Sequence, residues 1–525
     1  MATLIPRSGK VYSIQEVAKH NTEDDIWIII DGRVYDMTDY VDGHPGGKRI
    51  LMSVAGKDAT QQFANFHNIL SVMARFGNKL YIGELDNAHK EPPKPKTELF
   101  GDLVPYGDPT WYQGWKSPYY NDSHRRLREY MRNIIETELK PFSDEWSEAG
   151  QVPKSVYKSW GERGLLTCFT GMRPWPMAYV KAPPPCGIKP EEWDTFHWLV
   201  VQDELARATS PASSNLTLGP SIALPAIINF GNQHQKDKIL PEVMAGDKVV
   251  CLAISEPFAG SDVANITTTA VKTPDGKHYI VNGEKKWITC GTYADYFVTA
   301  VRTGNKGATG MSVLIIERQP GLKTRILPTQ AGTSSGQAYV TFENVKVPVE
   351  NLLGVENQGF KVLMFNFNKE RLSICMGVPR SARVCFEEAM KYANKRKTFG
   401  QYLIEHGVIR NKFGHMARMI EATQAWLELT CYQWDKMSKK EADEKLGSSI
   451  ALLKAQCTQT FELCAREASQ IMGGIAYTRG GQGGVVERLY RNVRGAAIPG
   501  GSEEIMLDFG IRQGLKIARA QGAKI

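Results

Sequence analysis

The hydrophobic period of this chain changes repeatedly along its 525 residues, and these changes limit the folds that it can adopt. Short alternating runs come first, followed by a stretch rich in proline and lysine. Helical spacing follows, then a second alternating region, and then helical spacing again nearly to the end. A chain of this length exceeds what one hydrophobic core usually organises. We therefore predict several domains, with a small one ahead of a larger one.

Composition excludes several classes of protein. Hydrophobic residues make up 42% of the chain and charged residues 23%, as in ordinary soluble globular proteins, and no apolar run reaches the roughly 18 residues that span a bilayer. The nine cysteines show no metal-ligand spacing, which argues against a zinc site or a secreted disulfide framework and favours a reducing compartment. The net charge of +8 suits a substrate that carries phosphates. It is not concentrated in a basic block, so we expect no nucleic acid partner.

The amino-terminal part of the chain carries a pattern that predicts a heme site. Residues 27–30, Trp-Ile-Ile-Ile, and 33–36, Arg-Val-Tyr-Asp, are predicted to be short strands around an Asp-Gly turn, which is a strong hairpin signal. A Pro-Gly-Gly turn follows His44, and His67 lies 23 positions after that histidine. These features resemble a cytochrome b5 domain, which implies that residues 1–85 bind heme b with His44 and His67 on opposite faces of the iron. Two such ligands leave no open position and favour electron transfer. The aromatic residues expected around the second histidine are Phe63 and Phe66.

Composition and period divide the rest of the chain into four segments. Residues 86–115 are rich in proline and lysine and are predicted to form a semi-rigid linker. An α-helical domain is predicted over 116–248, a β domain over 249–355 and a helical bundle over 356–525. Within the first of these, residues 170–190 are rich in proline and predict a long loop. A surface insertion is favoured for this loop over a wall of a substrate pocket.

Two short segments of the β region point to a reaction. Residues 251–262 read Cys-Leu-Ala-Ile-Ser-Glu-Pro-Phe-Ala-Gly-Ser-Asp, and residues 286–289 read Lys-Trp-Ile-Thr. They resemble the two flavin-contacting segments of the acyl-CoA dehydrogenase family, and the order α, β, α over residues 116–515 is similar to that of the family. The resemblance implies a multidomain α+β chain, in which the heme domain precedes an α-helical domain, a β-barrel or sheet domain and a C-terminal four-helix bundle. The implied cofactors are FAD and heme b.

The resemblance also assigns individual flavin contacts. Ser255 takes the place of the hydroxyl that bonds the pyrimidine edge, Trp287 that of the ring against the isoalloxazine, and Thr289 that of the donor to the hydride-accepting nitrogen. Residues 396–400 and 470–474 resemble segments by which a neighbouring subunit binds the adenosine and pyrophosphate of FAD. This resemblance implies a homodimer or homotetramer. The residues assigned to the cofactor are Leu252, Ser255, Ser261, Trp287, Thr289, Arg396, Phe399, Gln470, Gly473, Gly474, Ser502 and Glu504.

Family members use a glutamate to remove the α-proton of the thioester, and they place it at one of two positions. The carboxy-terminal loop has Gly500 at the commoner position, where no base is available. The other position, used by isovaleryl- and long-chain-type members, lies at a helix start and holds Glu370, which we assign as the base. Burial against the acyl chain would raise its pKa towards neutrality. The residues assigned to the substrate are Ser261, Asn368, Arg371 and Gly501.

Three positions depart from the family pattern and leave the substrate open. Cys290 stands where an asparagine is common, Ala476 where a glycine is expected, and Pro499 where a bulky residue is frequent. The base at Glu370 would leave open space at Gly500 near the reacting carbons, which favours branched or long acyl chains.

The predicted reaction is the α,β-dehydrogenation of an acyl-CoA, with electrons passed from FAD to the fused heme and then to an unknown external acceptor. Three alternatives remain: an acyl-CoA oxidase that uses oxygen, a non-catalytic heme-flavin electron carrier, and a flavoprotein that oxidises a nitroalkane or another carbon acid. The sequence does not separate fatty-acid breakdown from a step in specialised metabolism.

The two ends of the sequence bear on its compartment. Residues 523–525, Ala-Lys-Ile, resemble the small-basic-aliphatic tripeptide that directs import into peroxisomes. Residues 1–10 are too short and too poor in arginine for a transit peptide. We therefore expect a peroxisomal protein, or otherwise a cytoplasmic one.

Overall fold

The computed structural model of the protein describes residues 10–67, 72–86, 99–333 and 336–524, without the side chains of 64–66, 74 and 211–214. Three sequence predictions therefore fall outside the described residues. They concern the Phe66 side chain, residues 87–98 of the predicted linker and the last residue of the C-terminal tripeptide. The rest of the predicted linker is described, and there the prediction is wrong, because Trp111 and Tyr112 are buried in the core of the helical domain. Within the described parts of the chain, no helix combines the length and the apolar content that crossing a bilayer requires.

The first domain is built on a five-stranded sheet in the order β1-β5-β4-β3-β2, in which β1 and β5 are parallel. The predicted hairpin is confirmed, because β3 pairs antiparallel with β4 and Ile28 lies opposite Tyr35. Asp31 and Gly32 at its turn have φ values of 52° and 70°, the left-handed conformation that a tight hairpin turn requires. The elements are β1 Val11–Tyr12, α1 Ile14–Val17, β2 Asn21–Thr22, β3 Asp25–Ile30, β4 Arg33–Asp36, α2 Lys48–Val54, α3 Thr60–Phe66, α4 Asn78–Leu80 and β5 Tyr81–Leu85.

A helical domain follows, as predicted. Its helices are α5 Asp122–Ile134, α6 Ser143–Ala149, α7 Lys154–Glu162, α8 Thr195–Ala206, α9 Pro211–Leu218, α10 Leu224–Phe230 and α11 Gln233–Met244. A π-helical turn, Gly219–Ala223, joins α9 to α10.

A shared polar cluster starts two of these helices. Asn121 and Asp194 cap α5 and α8, and the rings of His124 and His197 stack between the caps with centroids 3.9 Å apart. His124 Nδ1 accepts the Asn121 N–H at 3.1 Å, and its Nε2 lies 3.1 Å from Asp194 Oδ1. His197 Nδ1 lies 2.8 Å from the same oxygen, and its Nε2 lies 2.9 Å from Ser123 Oγ. The three groups are close enough to share a metal ion, but each ring nitrogen has a protein partner, so the cluster acts as a pair of helix caps.

The middle domain is a seven-stranded sheet in the order β10-β9-β7-β8-β12-β11, with β6 pairing parallel to β9. The apolar runs at 279–281, 296–298 and 311–316, which the sequence predicts as strands, all fall within strands of this sheet. Apolar clusters cover both faces of this sheet, one of them shared with the helical domain. The strands are β6 Val250–Ala253, β7 Thr269–Lys272, β8 His278–Ile288, β9 Tyr296–Arg302, β10 Met311–Glu317, β11 Leu322–Ile326 and β12 Ala338–Pro348.

Long helices form the last domain and pack against the first helical one. Their shared core includes Leu199 of α8 and Leu372, Phe386 and Phe461 of the bundle, all 3% exposed or less. The bundle consists of α12 Gly359–Ala393, α13 Gly407–Lys436, α14 Lys439–Met472, α15 Gly484–Ala497 and α16 Glu503–Ala520, with a short hairpin of β13 Lys397–Thr398 and β14 Gln401–Tyr402.

The proline-rich stretch at 170–190 is a long loop, as predicted, but the expectation of a surface insertion is wrong. Trp175 is 3% exposed, its indole N–H donates to the Ala182 carbonyl at 2.9 Å, and its ring packs edge-on against Trp193. Val180 joins the apolar cluster that also contains residues of α12. The loop therefore forms part of the wall between the helical domain and the helix that carries the predicted base.

Candidate active site

Glu370 lies on α12, roughly three turns after the helix begins, and not at a helix start as the sequence suggested. Its side chain is 9% exposed, and its Oε2 is buried with no hydrogen-bond partner among the residues described. Burial raises the pKa of Glu370 to about 7, against the opposing charges of Arg371 and Lys454. A carboxylate in this state is suited to accept a proton near neutral pH.

The loop between α15 and α16 packs against the same turn of α12. Arg371 Nε donates to the Gly500 carbonyl at 2.8 Å. Gly500 has a φ of +70°, and a Cβ built there would lie 3.0 Å from Ile374 Cδ1. The structure therefore brings Glu370, Arg371 and Gly500 together, with a single carboxylate on that turn. The open space predicted at Gly500 is wrong, because Ile374 fills it.

Lys454 on α14 holds this loop from the other side, and sequence reasoning missed it. Its ammonium donates to the Gly501 carbonyl at 2.7 Å and also to the Ala497 carbonyl. The side chain is fully buried, and burial lowers the pKa of Lys454 to about 8. No local motif marks a lysine whose partners are carbonyl groups more than forty residues further along the chain.

The two predicted flavin segments meet in the sheet domain. The Lys286 N–H donates to the Ser255 carbonyl at 2.9 Å, which places the loop after β6 beside the end of β8. Trp287 is 50% exposed and has a φ of +62°, a strained conformation that is common at ligand sites. Gln337 Nε2 donates to Thr289 Oγ1 at 2.9 Å, while its Oε1 is buried without a partner among the described residues. An open indole beside hydroxyls and an unsatisfied amide fits one edge of a flavin.

A buried ion pair fixes the first of these segments. Glu256 accepts from the Thr267 N–H at 2.6 Å, the Thr268 N–H at 2.9 Å and the Lys285 ammonium at 2.8 Å. Burial alone would raise the pKa of Glu256, but Lys285 and these hydrogen bonds hold it at about 2. Ser255 is therefore placed by its neighbour in sequence. The sequence analysis missed this pair because a glutamate and a lysine 29 positions apart carry no recognisable spacing.

The residues assigned to a neighbouring subunit's flavin lie at the surface. Phe399 is 98% exposed with a φ of +51°, and a Cβ built on Gly473 or Gly474 would meet no atom within 4 Å. Arg396 and Gln470 are exposed as well. No hydrogen bond among the described residues joins these five positions to the two flavin segments of the same chain.

The remaining assigned residues divide between the site and its border. Leu252 packs in the apolar cluster that contains part of α12. Asn368 Oδ1 lies 3.4 Å from Arg371 Nη1, so it borders the turn that carries Glu370. Ser261 and Glu504 are exposed, and Ser502 caps α16 by accepting the Ile505 N–H at 3.5 Å. Arg371 itself is 7% exposed, so it supports the Gly500 loop and does not present an open cation to a nucleotide.

The two predicted heme ligands face each other in the first domain. The His44 and His67 rings have centroids 6.0 Å apart, and Phe63 stacks on His67 at 4.6 Å. An imidazole nitrogen binds a metal ion at about 2 Å, so two rings on opposite faces of one ion place their centroids roughly 6 Å apart. His44 Nδ1 is buried without a partner among the described residues, and burial lowers the pKa of His67, which favours the neutral ligand form. These residues fit a heme held by two histidines.

Comparisons with known proteins agree with this architecture. Residues 121–247, 251–345 and 357–515 match the N-terminal, middle and C-terminal domains of acyl-CoA dehydrogenase, and residues 13–86 match the cytochrome b5-like heme/steroid binding domain. The acyl-CoA dehydrogenase apdG of Emericella nidulans is 41% identical over 428 residues, which are 80% of this chain and 98% of that protein. The long-chain specific mitochondrial enzyme of Mus musculus is 28% identical over 75% of this chain and 87% of its own length. The crystal structure of acyl-CoA dehydrogenase from Geobacillus kaustophilus matches with a TM-score of 0.68 and 30% identity, covering 76% of this chain and 99% of that one.

Fold and site together define a flavin-dependent oxidoreductase with a heme domain on the same chain. The chain belongs to the acyl-CoA dehydrogenase family and carries an amino-terminal cytochrome b5-like domain. Its cofactors are FAD and heme.

Proposed function

We propose that the protein removes hydrogen from the α and β carbons of an acyl-CoA thioester, with Glu370 as the base. The observation that carries this proposal is the Glu370 carboxyl, which is buried, has one oxygen without a partner, and has a pKa raised to about 7. Gly500 at the alternative position supplies no acid or base, so Glu370 is the carboxylate of this turn.

In this proposal Glu370 accepts the α-proton of the thioester, and bound FAD supplies the acceptor for the β-hydride. The N–H groups of Gly500 and Gly501 have no acceptor among the described residues, so they can donate to the thioester oxygen as negative charge develops there. Arg371 holds the Gly500 carbonyl, which fixes the peptide unit that carries the Gly501 N–H. Lys454 holds the Gly501 carbonyl and so anchors the loop on the other side of that donor.

We also propose that the fused heme domain receives electrons from the flavin domain. The two histidines leave no open position on the iron, which suits one-electron transfer. Arg75 of the heme domain donates to the Pro141 carbonyl of the helical domain at 3.0 Å, and its guanidinium lies 3.7 Å from Glu145. A shared chain and this contact raise the effective concentration of one domain at the other.

A second copy of the chain completes each flavin site in this proposal. The proposal is supported by five residues that are open at the surface and that no hydrogen bond among the described residues joins to the flavin segments of their own chain. They are Arg396, Phe399, Gln470, Gly473 and Gly474. A homodimer or homotetramer should therefore retain FAD, whereas a dissociated chain should lose it on gel filtration.

The base is tested with Glu370→Gln and a matched control, Glu428→Gln. Glu428 also lies in the bundle, and burial also raises its pKa, but its carboxylate accepts from Tyr120 and Gln424 away from the flavin segments. When acyl-CoA is mixed anaerobically with FAD-loaded protein, flavin absorbance should fall about 1,000-fold more slowly in Glu370→Gln and at the wild-type rate in Glu428→Gln. Equal rates in wild type and Glu370→Gln would overturn the assignment.

A further inference from the structure

One face of α12 leads away from Glu370 along partly open positions. Phe367, Ser373 and Gly377 are each partly exposed and follow one another at spacings of three or four residues around Glu370, which places them on one side of the helix. A Cβ built on Gly377 would meet only the Gln202 carbonyl, at 3.7 Å. From Glu370 to Gly377 this face runs for about 10 Å. The solvent-accessible side of these residues forms an open strip along α12 beside the proposed base, and this strip is the space that a ligand can enter.

A polar trio, made of the partly exposed Ser373 and the buried Gln202 and Ser221, borders this space one turn beyond Glu370. Gln202 Nε2 of α8 donates to Ser373 Oγ at 2.7 Å, and Ser373 Oγ lies 3.1 Å from Ser221 Oγ of the π-helical turn. Gln202 is 8% exposed and Ser221 is 3% exposed, so these groups are largely removed from solvent.

Hydrogen-bond counting leaves this trio with one donor to spare. Each serine carries one hydroxyl proton, and the contact between Ser373 and Ser221 uses only one of the two. The Gln202 amide N–H donates to a lone pair of Ser373 Oγ, so it does not accept either hydroxyl proton. The remaining hydroxyl proton has no acceptor among the residues that the structure describes. It suits an oxygen that a ligand brings into the space.

We infer that the trio of Gln202, Ser373 and Ser221 binds an oxygen function on the acyl chain, so that the substrate class is an oxygenated acyl-CoA. This inference rests on the proposed dehydrogenation at Glu370. Ser373 lies three residues, or about 4.5 Å, along the helix from the base. Because an extended acyl chain zigzags, each carbon–carbon bond of about 1.5 Å advances by less than its length, so this distance corresponds to an oxygen-bearing carbon roughly four bonds beyond the α-carbon.

A second trio of the same chemistry has the same spare hydroxyl proton, but both of its hydroxyls are closed to a ligand, so the partly exposed Ser373 is what separates the two trios. Gln456 Nε2 donates to both Thr423 Oγ1 and Thr460 Oγ1 at 3.2 Å, and the two hydroxyls lie 3.0 Å apart between α13 and α14. Both threonines are fully buried, and no open glycine lies beside them. Thr460→Val is therefore a matched control for the loss of one hydroxyl between packed helices.

The test compares octanoyl-CoA with an analogue that carries a ketone on its sixth carbon, using FAD-loaded protein under anaerobic conditions. At equal thioester concentration, flavin absorbance in the wild type should fall roughly fivefold faster with the ketone than with octanoyl-CoA. In Ser373→Ala this ratio of rates should fall to about one. The ratio should stay at the wild-type value in Thr460→Val. Ser221→Ala provides a second variant that should also lower the ratio, should Ser373→Ala not fold.

The outcomes separate the inference from the function on which it rests. A ratio near one in the wild type, or a ratio that Ser373→Ala and Ser221→Ala both leave unchanged, overturns the oxygen site while dehydrogenation stands. If neither thioester lowers flavin absorbance in protein with a full content of FAD, the proposed dehydrogenation fails, and the inference fails with it.

Discussion

The two halves of α12 bury carboxylates in opposite ways. Near its beginning, Glu370 is buried with one oxygen unpaired, and burial raises its pKa to about 7. Roughly 25 Å further along the same helix, Glu387 is also buried, but Arg207 and Lys391 pair with it and hold its pKa well below its usual range. Desolvation acts on both groups, so the difference comes from the partners. The property that separates the proposed base from the paired carboxylate is therefore the absence of a partner at one oxygen, and not burial.

The second half of α12 extends this pairing into a network. Arg380 is fully buried and donates to Asp203 at 2.5 Å and to Asp108 at 2.6 Å, which ties the bundle to the first helical domain. Asp108 is in turn paired with Arg132. In the first half of α12, one oxygen of Glu370 has no partner, which suits the proposed proton transfer. In the second half, buried charges are paired, and the pairs hold two domains together.

Removing Arg380, a partner in the buried network of the second half of α12, should have the largest effect on the free energy of unfolding. Arg380→Met leaves two buried carboxylates without their guanidinium, so the free energy of unfolding should fall by about 4 kcal/mol. Urea unfolding measures this change. Arg512→Met, which removes an exposed partner of Asp508, should lower it by less than about 1 kcal/mol. Equal losses in the two variants would show that the network is not compensated as described.

The sequence predicted the secondary-structure elements better than it predicted which side chains pair with one another. The hairpin around Asp31, the strands of the sheet domain and the helical period of the bundle follow from local patterns, and the structure confirms them. The position of Glu370 came from a motif, but its unpaired oxygen and the hydrogen bond from the adjacent Arg371 to Gly500 depend on the tertiary fold. Lys454 and the pair of Glu256 and Lys285 could not be predicted, because partners distant in sequence leave no spacing to recognise.

The protein should become more stable when the charge of Glu370, in the first half of α12, is removed. The pKa of Glu370 is raised from 4.5 to about 7, so the folded state holds this proton more tightly than the unfolded state. The stability contributed by the proton is complete below about pH 4.5 and is lost as the pH rises through about 7. Glu370→Gln cannot ionise, so its free energy of unfolding should exceed that of the wild type by about 3 kcal/mol at pH 8 and match it at pH 4.5.

Urea unfolding at the two pH values tests this prediction, with Glu387→Gln as the contrasting variant. Glu387 has a lowered pKa, so its contribution is present above the unfolded value and is lost as the pH falls through the folded one. Glu387→Gln should therefore be less stable than the wild type at pH 8. If the free energy of unfolding at pH 8 rises in both Glu370→Gln and Glu387→Gln, or falls in both, the contrast between the two halves of α12 is contradicted.

The smallest effect concerns the second of the two cations that oppose the raised pKa of Glu370, after Arg371. The positive charge of Lys454 lowers the pKa of Glu370, so Lys454→Met should raise the pH at which Glu370 is half ionised by roughly half a unit. The pH profile of the anaerobic flavin reaction measures this midpoint. Lys412→Met, which removes a partner of Glu467 elsewhere on α14, should leave the midpoint in place.

The most direct measurement is the rate at which acyl-CoA lowers flavin absorbance in a single anaerobic turnover, recorded in the wild-type protein from about pH 5 to pH 9. If Glu370 is the base, it must lose its proton before it can accept one from the substrate, so the rate should rise with pH and reach half its maximum near pH 7. A rate that stays level over this range, in protein that keeps its FAD and binds the thioester, would contradict the account.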